Sequence, residues 1–228
     1  MRDKGLQTPA GTDVRVIARA FDILDLFQAG APALSLMEIV HATGLSKATA
    51  YRLLSTLTAD DILRQRPDGA YELGFFSVHR ANAYLSSNSL VRRFKEAMAS
   101  LSRTLCETVI LSERKGDLIT DVDVIAAPSA VVSVPPTGTS SLLHLRLPGR
   151  AVLAAGTESE RQAYAARNRL KSINGASADD GCEFGVARTI SDGCGDVAGV
   201  IWISVPTAKD IDSERFSGSL DLAIRQSG

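Results

Sequence analysis

Between Ser46 and Asp60 the chain presents Lys47, Thr49, Tyr51, Arg52 and Ser55 without an intervening acidic side chain. Those residue types suit the edge of a DNA base pair. A guanidinium gives two hydrogen bonds to guanine O6 and N7, hydroxyls serve bases or phosphates, and an ammonium neutralises phosphate. Spacing decides whether they act together. On a wheel of about 100° per residue, Ala50, Leu53, Leu54 and Leu57 gather on one side and Ala48, Tyr51, Arg52 and Ser55 on the other. Lys47 and Thr49 flank the N-terminal end, where the positive pole beside Ser46 favours a phosphate. A short helix with Lys and Arg outward is often merely solvated, so the chemistry rests on what holds this helix.

The surrounding residues supply that frame. Val14, Ile17, Phe21, Leu24 and Phe27 recur at spacings of three or four, and Gly30 with Pro32 ends the helix they predict. Ser35-Leu36-Met37-Glu38 is a capping box for a short second helix, which stops at Thr43-Gly44. Ser46 caps the third helix, which runs to about Asp60. Leu63–Arg66 and Ala70–Leu73 flank Pro67-Asp68-Gly69, a tight-turn sequence, so a hairpin follows. Arg64 and Arg66 alternate to one face of it, within reach of adjacent backbone or minor groove. In that order these elements spell a winged helix-turn-helix over residues 14–74. His41 and His79 are read as packing or surface residues.

Residues 1–13 are polar and aperiodic and read as a loose arm. Residues 75–89 form a linker helix carrying Phe75, Phe76, Val78, Tyr84 and Leu85, with the Ser-Ser-Asn-Ser run at 86–89 as the domain boundary. Residues 90–228 mix helix and strand. A helix bearing Val91, Phe94, Met98, Leu101 and Leu105 leads into strands at 107–112, 118–124 and 130–134. Helices near 149–155 and 158–168, a polar loop at 171–182, strands at 186–190 and 197–205, and a closing helix from Ser213 complete an α+β chain.

Composition narrows the function. With 45% hydrophobic and 22% charged residues the chain has a globular core, and a net charge of −1 selects no polyanion beyond a local basic face. Three widely spaced cysteines without a C-x-x-C suit neither a disulfide framework nor a structural zinc site. No apolar run resembles a signal peptide or membrane span, so a cytoplasmic protein without a membrane partner is expected. There is no G-x-S-x-G, H-E-x-x-H, Walker loop or G-x-G-x-x-G. Gly193-Cys194-Gly195 reads as a hairpin turn and Cys106 as a small core residue, while His144, Cys182 and Cys194 lack ligand spacing. No catalytic residue, metal or cofactor is expected.

The stretch LSLMEIVHATGLSKATAYRLLSTLTADDILRQRPDGAYELG resembles the DNA-binding domain of the IclR family of bacterial transcriptional regulators. ETVIL, TGTSSLLHLRLPGRAVLA and GVIWISVP follow in that family's order. The resemblance implies a winged helix-turn-helix, a linker helix and a C-terminal ligand-sensing domain with a curved antiparallel sheet. It further implies operator DNA and a small-molecule effector as partners, and a homodimer or homotetramer. The DNA-binding residues would be Ser46, Lys47, Thr49, Tyr51, Arg52, Ser55, Arg64 and Arg66.

In that family the sensing pocket is built around the segments matching Leu143–Arg150, the strand before Asp192 and the strand ending at Ser204. This chain departs from the pattern, with Arg146, Leu147 and Pro148 where small residues are usual, Arg150 for Lys, and Trp202 for a serine. The implied effector site is Leu143, Arg146, Leu147, Pro148, Thr189, Trp202 and Ser204. Arg146 has no acidic neighbour in sequence. Facing inward it would anchor a carboxylate through paired, charge-assisted hydrogen bonds; otherwise it snorkels or pairs with a distant Asp or Glu. Both orientations stay open. The expectation is a regulator responding to an organic or aromatic acid of a catabolic pathway. Its rivals are an enzyme with an N-terminal DNA-binding regulatory domain and an adaptor whose winged domain binds protein.

Overall fold

The computed structural model describes residues 12–27, 33–127, 135–170, 184–206 and 211–227. Most of the expected arm, the strand expected at 130–134 and the polar loop at 171–182 lie outside the described residues. The chain divides between Tyr84 and Leu85 into two compact units.

The first unit begins with α1 (Thr12–Leu24), α2 (Leu36–Thr43) and α3 (Lys47–Ala59), and continues with β1 (Leu63–Gln65), β2 (Tyr71–Leu73) and α4 (Phe76–Ser87), whose last residues pass into the second unit. Local chemistry accounts for each boundary. Ser35 Oγ accepts from the Glu38 amide at 3.3 Å while Glu38 accepts from the Ser35 amide at 2.7 Å, which also holds the Glu38 carboxyl below its ordinary pKa. Gly44 stops α2 with φ +68°, a conformation that a Cβ penalises. Leu34 and Tyr71 exchange two backbone hydrogen bonds of 2.8 Å, adding a third extended segment to the hairpin. Ile23, Phe27, Ile39, Leu54, Leu57, Leu63 and Tyr71 form the core. Ile17 and Phe21 belong to the helical stripe but are exposed, because the small core reaches only Ile23 in the last turn of α1 and Phe27 just beyond it.

The second unit contains α5 (Ser89–Leu105), β3 (Thr108–Lys115), β4 (Leu118–Ile125) and β5 (Ser140–Leu142), then a 3-10 turn over Leu143–Leu145. It continues with α6 (Leu147–Ala155), α7 (Glu158–Arg167), β6 (Phe184–Ser191), β7 (Val197–Val205) and α8 (Ser213–Ser227). The strands form one antiparallel sheet in the order β5-β4-β3-β7-β6. Both faces are covered, which is why β7 reads as a nearly unbroken apolar run. Val109, Leu111, Ile201, Ile203 and Val205 pack with Phe94 and Met98 of α5 and Phe216 and Leu220 of α8. Ile110, Ile119, Val200 and Trp202 pack on the opposite side with Leu143, Leu147, Val152 and Tyr164. A Cβ on Gly149 would lie 2.2 Å from the Leu143 carbonyl oxygen, so glycine is what lets α6 close on the 3-10 turn. Cys106 is not a core residue: it caps α5 in a left-handed conformation, φ +56°, and is exposed.

Candidate functional site

In the first unit α3 presents the expected face. Ala50, Leu54 and Leu57 are buried and Leu53 is half-buried, whereas Lys47, Ala48, Tyr51, Arg52 and Ser55 are exposed. Ser46 Oγ accepts from the Thr49 amide at 3.3 Å and lies 2.9 Å from Thr49 Oγ1, so these two hydroxyls start the helix and face each other. Lys47 and Arg52 have no ion-pair partner among the described residues, and their charges stand open to solvent.

The hairpin is different. Arg64 lies opposite Glu72 in the β1–β2 register and forms an ion pair with it, and Arg66 meets Asp68 at 3.3 Å. Sequence reasoning gave both arginines to DNA and missed these acids. The signal was present, since a two-strand hairpin closing at Pro67-Asp68-Gly69 sets residues 64 and 72 side by side. A phosphate contact by either arginine therefore competes with a carboxylate.

In the second unit a buried polar chain crosses the sheet face that carries α6. Trp202 Nε1 donates to Ser112 Oγ at 3.1 Å, Ser112 Oγ donates to Asp121 Oδ1 at 2.6 Å, and Asp121 Oδ2 lies 2.8 Å from Arg146 Nη1. The Arg146 guanidinium carbon sits 5.7 Å from the centre of the Trp202 ring. The Asp121 side chain is wholly buried and that of Arg146 is 12% exposed. Of the two orientations left open, Arg146 thus pairs with a distant aspartate, and does so inside the fold. Ser112 and Asp121 were missed as site residues. Alternation along β4 gives the clue, because Asp121 shares a face with the core residue Ile119.

Leu143, Leu147 and Trp202 are brought together, but as members of the core packed against α6 and α7. Pro148 is buried, Ser204 is buried on the same sheet face as Trp202, and Thr189 is half-buried on β6 opposite Val200. His144 Nδ1 lies 2.7 Å from the Tyr164 hydroxyl, and the His144 amide donates to the same oxygen at 3.2 Å. Burial lowers the His144 pKa and raises that of Tyr164. Among the described residues no three His, Cys, Asp or Glu side chains gather as metal ligands, and no helix is long and apolar enough to cross a membrane. Cys182 lies outside the described residues and Cys194 is exposed in the β6–β7 turn.

Residues 16–67 match the IclR helix-turn-helix domain model and residues 82–178 the bacterial transcriptional regulator IclR C-terminal model. The chain is 33% identical over 168 residues to the HTH-type transcriptional regulator Rv1719 of Mycobacterium tuberculosis, covering 73% of this chain and 64% of that protein. Across Rv1719 and two further curated relatives the chain spans 64%, 60% and 55% of the relative's length. The crystal structure of an IclR family transcriptional regulator from Brucella abortus superposes with a TM-score of 0.72 at 20% identity, covering 96% of this chain and 95% of that one. An IclR homolog from Microbacterium hydrocarbonoxydans, complexed with 4-hydroxybenzoate, gives a TM-score of 0.70 at 18% identity, covering 93% and 97%. At those identities the likeness is one of fold.

Proposed function

This chain belongs to the IclR family of bacterial transcriptional regulators, and on that premise we propose that it binds operator DNA through α3 and releases or tightens that grip in response to a small organic acid. The observation that carries the DNA half is the α3 face, where Lys47, Tyr51, Arg52 and Ser55 are exposed together on a helix whose opposite side is core. Arg52 reads a base edge and Lys47 holds a phosphate, with Ser46 and Thr49 bringing the helix N-terminus to the backbone. Arg64 and Arg66 of the hairpin have a secondary part, reduced by Glu72 and Asp68. The protein acts as a homodimer or as paired dimers. The cytoplasm is its place of work, and regulation rather than catalysis is its task.

The effector half draws on the second unit. A protein of the same fold is complexed with 4-hydroxybenzoate, and the second unit here carries Thr189, Trp202 and Ser204 on its sheet, Leu143, Leu147 and Pro148 in the 3-10 turn and α6, and Arg146 between Asp121 and the Trp202 ring. An acid reaching Arg146 has to exchange for Asp121, so that guanidinium is an anchor already occupied. Selection of binding sites from random duplexes by the full chain tests the DNA half. Arg52→Ala should then cost about 1–3 kcal/mol on the selected site and relax preference at one position, whereas Lys47→Ala should weaken all duplexes alike. Equal losses on selected and random DNA for Arg52→Ala overturn the assignment of base reading.

A further inference from the structure

A cavity of about 130 Å³ opens in the second unit between the β3–β4 hairpin and the α6–α7 pair, away from the Arg146–Asp121 chain. Its apolar floor is Leu143, Val152 and Leu153, and three guanidinium groups, Arg114, Arg161 and Arg167, stand around it. Two of these are fixed in place. Arg167 reaches Asp117 through Nε at 3.1 Å and Nη2 at 2.8 Å. Arg161 donates to Glu158 at 2.9 and 3.1 Å and, through Nη1, to the Gly156 carbonyl at 2.5 Å. Arg114 is different, because it spends only Nε, on the Gly116 carbonyl at 3.2 Å. Its two terminal nitrogens have no ion-pair partner among the described residues. The acid in the lining, Glu160, has Oε2 committed to the Thr157 amide at 2.6 Å and hydroxyl at 2.9 Å. A guanidinium whose terminal nitrogens make no hydrogen bond among the described residues, its charge felt by Glu160 and Asp117, beside an apolar lining is suited to one carboxylate attached to a small hydrocarbon body.

We propose that this cavity is a binding site for a small monocarboxylate, its carboxylate on the terminal nitrogens of Arg114 and its body on Leu143, Val152 and Leu153. The proposal rests on the reading of the second unit as effector-binding and moves the acid's anchor away from Arg146. Size limits the ligand: a cavity of roughly 150 Å³ holds a single benzene ring, so one ring or a short acyl chain fits and a fused ring system does not. Occupation would tie β3 to the 3-10 turn and α6, because the ligand bridges Arg114 on one and Leu143, Val152 and Leu153 on the others. Such a bridge gives the differential contact that an effector needs between two states.

Calorimetric titration of the full chain with benzoate, butyrate and the neutral benzamide tests it. The expected result is saturable binding of at least one acid and none of benzamide. That binding should weaken about tenfold or more in Arg114→Gln and in Ala163→Phe, which sets a ring into the cavity from an exposed position on α7. Benzamide binding as tightly as benzoate overturns carboxylate recognition. Acid binding that survives Ala163→Phe and Arg114→Gln overturns the site while leaving the effector reading intact. Absence of binding by both acids to the wild-type chain also overturns it, and leaves the operator selection to judge the DNA-binding reading separately.

Discussion

Arg146 Nη1 meets Asp121 Oδ2 at 2.8 Å inside the second unit, tying the start of α6 to the middle of the sheet. Removing two charges from water costs several kcal/mol per ion, and the pair recovers this only through close geometry and further hydrogen bonds, here the one from Ser112. Loss of one partner should therefore hurt more than loss of both. Asp121→Ala is expected to destabilise by about 3–5 kcal/mol, because Arg146 is left buried without its counter-charge, whereas Asp121→Leu with Arg146→Met should come out near neutral. Urea unfolding of both variants measures this, and a single variant no worse than the double one contradicts the account.

His144 supplies a pH dependence of definite sign. Burial sets its folded pKa below 6.5, so as pH falls the unfolded chain takes up the proton first. Its contribution to stability is complete above 6.5 and is lost as pH falls from there toward the folded value. Melting between about pH 7.5 and 5.5 should show a decline in the wild-type chain that is smaller in His144→Gln, where the proton cannot bind. Equal declines in the two proteins would assign the slope to other groups.

What was legible in the sequence was whatever depends on near neighbours. The Ser35–Glu38 box, the Gly44 stop, the turn at Gly69 and the outward set on α3 all follow from spacings of five residues or fewer, and each was read before the fold. The pair Arg146–Asp121 was not, because its members are brought together only by the sheet, with β5 carrying the chain from β4 to the 3-10 turn. Strand β5 itself, Ser-Ser-Leu, is too short and polar to signal extension. The cavity beside Arg114 was hidden for the same reason, since its lining comes from β3, the 3-10 turn and two helices. The stripe on α1 was legible as a helix, but which of its residues the core would reach was not, because period fixes a face and not what covers it.

The ion pair on the hairpin makes a prediction against simple charge counting. Arg64 is held by Glu72, whose side chain is the less exposed of the two. Glu72→Gln should free Arg64 for phosphate, raising affinity for any duplex and steepening its salt dependence by up to about one counterion. Arg64→Ala in the wild-type background should do little by comparison. Binding isotherms over a salt series on random duplex distinguish the cases, and an unchanged slope in Glu72→Gln removes Arg64 from the interface.

The exposed apolar residues of the first unit require a cover. Ile17 and Phe21 of α1, Phe75 before α4, and Val78 and Tyr84 on α4 are all open, Phe75 at 63% and Tyr84 at 51%. Phe76, the third aromatic of that segment, is half-buried beneath the Arg80 guanidinium, 4.4 Å from its ring centre, and has less to offer a partner. Scattered apolar side chains are ordinary on a monomer, but two helices of one small unit that both carry them point to association. A single recognition helix covers only a few base pairs, so specificity also calls for two α3 helices one or more turns apart on the duplex, about 34–36 Å per turn. A dimer is therefore expected in sedimentation at micromolar concentration. Phe21→Glu and Val78→Glu should each shift it toward monomer without unfolding, since neither residue belongs to the core, and should weaken binding to a paired half-site far more than to an isolated one. A monomer that retains full affinity for the paired site would assign these residues to another partner.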